Sequence, residues 1–146
     1  RKPQGNDRAQ AKAIYSGECD VALMNTYYYG KMKFNNKNPE QKKWADSLRL
    51  VFLDQTGRGQ HVNISAAAVL KASKKQAAAV KFIEWLTSPE AQLLYTEVNY
   101  EYPVNLGVNP SREVASWGKF KIDDVSLTDI AKNTPLAQMI INETGW

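Results

Sequence analysis

Three consecutive tyrosines, Tyr27, Tyr28 and Tyr29, follow Asn25 and Thr26. A phenolate is a hard, anionic oxygen ligand. Its unperturbed pKa of about 10 means that only a strongly charged hard cation ionises it at neutral pH. Trivalent iron does so, whereas divalent magnesium and calcium prefer carboxylates and carbonyls. Neighbouring residues on a helix lie about 100° apart, so Tyr27 and Tyr28 cannot both be buried on one narrow face. At a helix start their oxygens can instead converge on one point in a cleft. The competing reading is ordinary packing, with the rings against a core edge and the hydroxyls in water. Spacing alone leaves both readings open.

The rest of the chain offers little other chemistry. It contains no G-x-S-x-G, Walker loop, G-x-G-x-x-G, C-x-x-C or H-E-x-x-H pattern. The single histidine, His61, stands beside the short Gly57-Arg58-Gly59 turn and reads as a surface or packing residue. The single cysteine, Cys19, reads first as a small buried hydrophobe. The carboxylates are scattered, with no close pair for acid–base work, so nothing here calls for an enzyme. At 146 residues the chain has the length of one domain, and 43% apolar with 23% charged residues excludes a disordered or collagen-like chain. No apolar run approaches the roughly 20 residues of a membrane helix. Nineteen basic against fifteen acidic residues give a net charge of +4, spread along the chain. A dispersed excess argues little for nucleic acid and suits a small anionic partner equally well.

The elements that must position the tyrosines read as alternating helices and strands, an α/β pattern. Asn6 and Asp7 are N-cap types before an Ala-rich helix over residues 8–15 that stops at Gly17. Residues 19–24 form a short apolar run expected to be a strand, placing the tyrosines at a strand-to-helix junction. Open α/β sheets bind their ligands at such junctions. Asn38-Pro39, Ser88-Pro89 and Thr134-Pro135 each set a capping residue before a proline, predicting helix starts near 39, 89 and 135. Residues 49–53 and 62–70 are expected as further strands, the second long and buried. The chain opens in a polar run without Met and closes on a helix with a Gly stop at Gly145. It is expected to be a fragment or a processed chain.

The run Gly17-Glu18-Cys19-Asp20-Val21-Ala22, followed by Asn25-Thr26-Tyr27-Tyr28, resembles the tyrosine-pair segment of periplasmic ferric-iron-binding proteins. These are the substrate-binding components of bacterial iron ABC transporters. His61 to Ser73 is similar to the family's crossing strand. Ser88-Pro89-Glu90-Ala91-Gln92, Asn99 to Val104 and the closing Thr144-Gly145-Trp146 also fit, so the resemblance runs in order over essentially the whole chain. It implies a bilobal periplasmic-binding-protein type II fold, of which this is the C-terminal half. Residues 1–62 would belong to the second lobe, 63–110 would return to the first, and 111–146 would finish on the second. It also implies that Tyr27 and Tyr28 ligate Fe(3+). Asn25, together with Asn6, would contact a synergistic anion, carbonate or phosphate. The implied protein is not an enzyme. It is periplasmic and monomeric at full length, binds no nucleic acid, inserts into no membrane, and hands ferric iron to an ABC transporter permease. Cys19 would pair with an upstream cysteine. His61 does not match the family's ligand histidine. The alternatives are a receptor for an oxyanion or small organic acid on the same fold, or an α/β enzyme with its catalytic residues in the other half.

Overall fold

The computed structural model describes residues 5–145. Seven helices follow one another among them: α1 (Asp7–Tyr15), α2 (Thr26–Lys33), α3 (Pro39–Asp46), α4 (Gln76–Leu86), α5 (Pro89–Val98), α6 (Arg112–Ser116) and α7 (Leu127–Thr144). Most begin where a short polar side chain can satisfy an orphan amide of the first turn. Asn6 accepts from the Ala9 amide, Asn38 from Glu40, Ser88 from Ala91 and Ser111 from Val114. Pro39 and Pro89 stand in the first turn, as the Asn-Pro and Ser-Pro pairs predict.

The third such pair misleads. Helix α7 starts eight residues before Pro135, at Leu127, because Ser126 caps it by accepting from the Asp129 amide. Pro135 therefore lies inside the helix. Nearby polar side chains supply additional donors to the helix carbonyls: the Thr134 hydroxyl donates to the Ile130 carbonyl (2.8 Å) and the Asn133 amide to Asp129 (2.9 Å). The helix ends at Gly145 in the left-handed conformation (φ 63°), the stop read from the sequence.

Helices α1, α2 and α3 pack around Ala11, Met32 and Ala45, with Met24, Tyr29, Trp44 and Leu48 closing over them. Two of the three central residues are alanines, which lets the helices approach closely. The expected strands over 19–24, 49–53 and 62–70 form no ladder among the described residues; the one bridge is parallel, between Gln60 and Ile122. A strand needs a neighbour to take its backbone hydrogen bonds, and these segments have none here. The first two nevertheless keep a strand's period of two. Ala22, Met24, Leu50 and Phe52 are half-buried, while Val21, Leu23, Val51 and Leu53 face out. Residues 62–70, expected as buried, are mostly exposed. Helices α4 and α7 bury no residue at all. Cys19 is partly exposed rather than buried, and forms no disulfide among the described residues.

Residues 96–123 tie the molecule together. Gln92, buried in α5, donates to the Leu86 carbonyl and accepts from the Val104 amide (2.8 Å). Thr96 is fully buried and accepts from the Ser111 amide (2.8 Å). Around the Gln60–Ile122 bridge, the Gln55 side chain both donates to and accepts from the Lys121 backbone. His61 is exposed and bonds through Nδ1 to the nearly buried Asp123 carboxylate at 3.0 Å.

Candidate functional site

Helix α2 is eight residues long and presents a different neighbour to each of its i, i+4 pairs. Tyr28 and Met32 face α1: Met32 fills the core, and the Arg8 guanidinium lies 4.7 Å from the Tyr28 ring centre. Tyr29 and Lys33 face α6 and Trp117, with the Tyr29 and Trp117 rings edge to face at 5.7 Å. Gly30 and Phe34 face Tyr100, whose ring stacks on Phe34 at 5.4 Å. Tyr27 and Lys31 remain, with the Lys31 ammonium 5.5 Å from the Tyr27 ring centre. The conflict between adjacent tyrosines noted from the sequence is resolved in this way. Neither is driven into the core, and their rings lie against one another with centres 4.2 Å apart.

The Tyr28 side chain beside Tyr27 is the largest of the influences, with burial and the neighbouring Asp7 and Glu101, that push the Tyr27 pKa up to about 12. A cation that takes the Tyr27 oxygen must therefore displace a proton held well above neutral pH.

Asn25 is the N-cap of α2 but forms no side-chain cap bond, because its side chain is engaged elsewhere. The Asp7 carboxylate accepts from both its backbone amide (2.6 Å) and its side-chain amide (3.1 Å). Its side-chain oxygen accepts from the Asn63 amide at 3.0 Å. Asn25 thus lies directly before the tyrosine pair, whereas Asn6 spends its side chain on the α1 cap. Asp7, one residue on, is the α1 residue that reaches Asn25. Sequence reasoning missed Asp7, Arg8 and Asn63 as neighbours of the pair. Helix α1 begins at Asp7, so its first turn could have been placed beside α2 only with knowledge of how the two helices pack. Lys31 was missed as well, although its i, i+4 spacing from Tyr27 was the signal that could have found it. Among the described residues no group of three or more His, Cys, Asp or Glu side chains could hold a metal, which leaves the phenols as the notable donors.

The family model for bacterial extracellular solute-binding proteins matches residues 2–93, well over half of the chain. The chain belongs to this solute-binding family. It is 46% identical over its whole length to iron uptake protein A1 of Synechocystis, and 31% identical over 95% of its length to the major ferric iron-binding protein of Neisseria meningitidis serogroup B. It spans 40% of the length of each of these relatives. Among solved structures, the ferric binding protein of Campylobacter jejuni superposes with a TM-score of 0.93 at 43% identity, covering 99% of this chain and 46% of the other. A Trichodesmium protein in complex with iron and citrate gives 0.91 at 40% identity, covering all of this chain and 46% of the other. The chain accordingly has part of the type II periplasmic-binding-protein fold, covering 46% of each of those two chains. The names of these relatives describe iron uptake and ferric binding; none denotes an enzyme. No helix of the solute-binding chain, among the described residues, is long and apolar enough to cross a membrane.

Proposed function

We propose that this chain supplies the Tyr27–Tyr28 side of a ferric-ion site in a cleft between two lobes, within a periplasmic protein that hands the iron to an ABC transporter permease. The observation that carries the proposal is the pairing of two adjacent phenols, their rings in contact and flanked by cations rather than sunk in the core. The names of its relatives support the metal, and the iron and citrate in one of them support a companion anion. Asn25 and Asn6 are the anion contacts in this reading, with carbonate or phosphate as the anion. Asn25 would exchange its bonds to Asp7 and Asn63 for the ligand. Residues 1–62 and 111–146 form one lobe and 63–110 return to the other. In support of that division, α1–α3 share one core, α4 and α5 pack on each other, and the stretch from Glu113 to Asp123 returns to residues 29–61.

The chemistry is displacement without conversion of substrate. Fe(3+) takes the two phenolate oxygens, and both protons leave to solvent. Lobe closure then excludes water, which strengthens each contact by lowering the local dielectric. Release follows opening at the permease, when water re-enters the site and each phenolate takes a proton back from solvent. The test is Tyr27→Phe and Tyr28→Phe in the full-length protein, titrated with ferric citrate while visible absorbance and proton release are followed. Each replacement is expected to weaken the tyrosinate-to-iron charge-transfer band and to reduce proton release by about one per iron. A double variant that keeps the colour and the affinity refutes the assignment.

A further inference from the structure

The far end of α2 is held by a closed ring of four side chains. One oxygen of Glu113, in α6, accepts from the Lys33 ammonium at 2.7 Å and from the Trp117 indole N–H at 2.9 Å. The Trp117 ring meets the edge of Tyr29, and the Lys33 ammonium lies 5.7 Å from the Tyr29 ring centre, which completes the circuit. Tyr102 packs on the Trp117 ring as well, at 6.1 Å. The Glu113 side chain is only 15% exposed, so its charge is poorly solvated and relies on these two donors. The carboxylate in turn holds Lys33 above the ordinary lysine range through their hydrogen bond.

Tyr29 and Lys33 share one face of α2, and Tyr28 is the residue directly before Tyr29. Rotating α2 about its axis would move both phenol oxygens and would also break the contacts of Tyr29 and Lys33. A single acidic residue, 80 positions away in sequence from Lys33, thereby adds an anchor against rotation, beside Met32 in the core and Tyr100 on Phe34, to a short helix that has no side-chain N-cap bond of its own. We propose that Glu113 is a positioning residue for the tyrosine pair, setting the angle at which Tyr27 and Tyr28 present their oxygens by anchoring Lys33 and Trp117 against Tyr29. This rests on the ferric-site reading above. Glu113 bonds to Lys33 and Trp117, not to the tyrosine pair, and acts through α2, in the way that outer partners orient metal ligands elsewhere.

The experiment uses the full-length protein with Glu113→Gln, Glu113→Ala and Trp117→Phe, the last removing the N–H while keeping an aromatic ring. Iron loss to excess EDTA, the position of the charge-transfer band and thermal melting are measured for each. Glu113→Ala is expected to speed iron loss by about 10- to 100-fold, the range for lost outer partners of metal ligands. It should also shift the band. Glu113→Gln, which keeps an acceptor but no charge, and Trp117→Phe should give smaller changes in the same direction. If the variants melt lower but keep the wild-type band and iron-loss rate, Glu113 is only structural and the proposal is overturned while the ferric site stands. If the wild-type protein itself shows no charge-transfer band with ferric citrate, the ferric-site reading fails and the proposal falls with it. If Glu113→Ala does not fold, Trp117→Phe decides: an unchanged band and rate overturn the proposal, and a shifted band with faster iron loss supports it.

Discussion

Gly30 is the point at which α2 is most sensitive to a single added carbon. A Cβ built there lies 2.3 Å from Tyr100 Cγ, 2.6 Å from its Cβ and 2.8 Å from its Cδ2, all closer than real Cβ contacts allow. Tyr100 has little room to retreat. Its ring is stacked on Phe34, and its backbone already occupies the left-handed region at φ 58°, unusual for a residue other than glycine. Replacing glycine by alanine inside a helix ordinarily stabilises by about 1 kcal/mol. Overpacking costs about 1–3 kcal/mol, and three clashing atoms with a constrained neighbour place this site at the upper end. Gly30→Ala is therefore expected to lose about 2 kcal/mol net, the difference between those two effects. Urea unfolding of the full-length protein measures it, as a lower midpoint with unchanged slope. Tyr100→Gly supplies the control, since it removes the ring and suits the positive φ. Its cost should be smaller by about 1 kcal/mol or more in the Gly30→Ala background than in the wild type, as expected for residues in contact. A Gly30→Ala protein as stable as wild type, or more so, would refute the notch between Gly30 and Tyr100.

Tyr102 carries a buried hydroxyl with no hydrogen-bond partner among the described residues, and burial pushes its pKa up to about 12. Tyr102→Phe is expected to leave stability unchanged or raise it by about 1 kcal/mol. Because the folded pKa lies above the unfolded value of about 10, the neutral phenol's contribution is complete below that pH and is lost as pH rises towards 12. The variant should therefore lose less stability between those limits in alkaline urea titrations, and an unchanged pH slope would count against the burial. Asp7→Ala removes the carboxylate that holds both amides of Asn25 and is expected to cost about 1.5–3 kcal/mol, the range for hydrogen bonds to a charged group. Denaturant unfolding measures the loss, and a cost under about 0.5 kcal/mol, typical of a surface substitution, would mean that α2 does not depend on this link.

Local chemistry was largely legible from the sequence. The caps at Asn6, Asn38 and Ser88, the N-terminal prolines at 39 and 89 and the Gly145 stop are properties of a few adjacent residues, and they form as read. The Thr134-Pro135 pair failed because the same residue types can sit inside a helix that another cap has already started. The apolar runs at 19–24 and 49–53 were recognised by composition and do alternate as strands do, yet pairing is a property of a neighbour that these residues do not contain. The tyrosine pair was visible as residue types. Its surroundings were not: Arg8 lies 20 positions before Tyr28, and Glu113 lies 80 positions after Lys33. No periodicity joins residues at such separations.

The spread of sequence separations around α2 has a consequence for how the chain folds. The core shared by α1, α2 and α3 closes within fewer than fifty residues, so its contacts form at little loop-closure cost and belong to the fast part of folding. The grip of Glu113 on Lys33 and the pairing of His61 with Asp123 close loops of 80 and 62 residues. They must wait for α4 and α5 to be made. Helix α2 is therefore seated early, by Met32, and oriented late, by Glu113. During synthesis, a nascent chain that has passed Lys33 but not Glu113 carries both phenols on a helix that still lacks its Glu113 anchor.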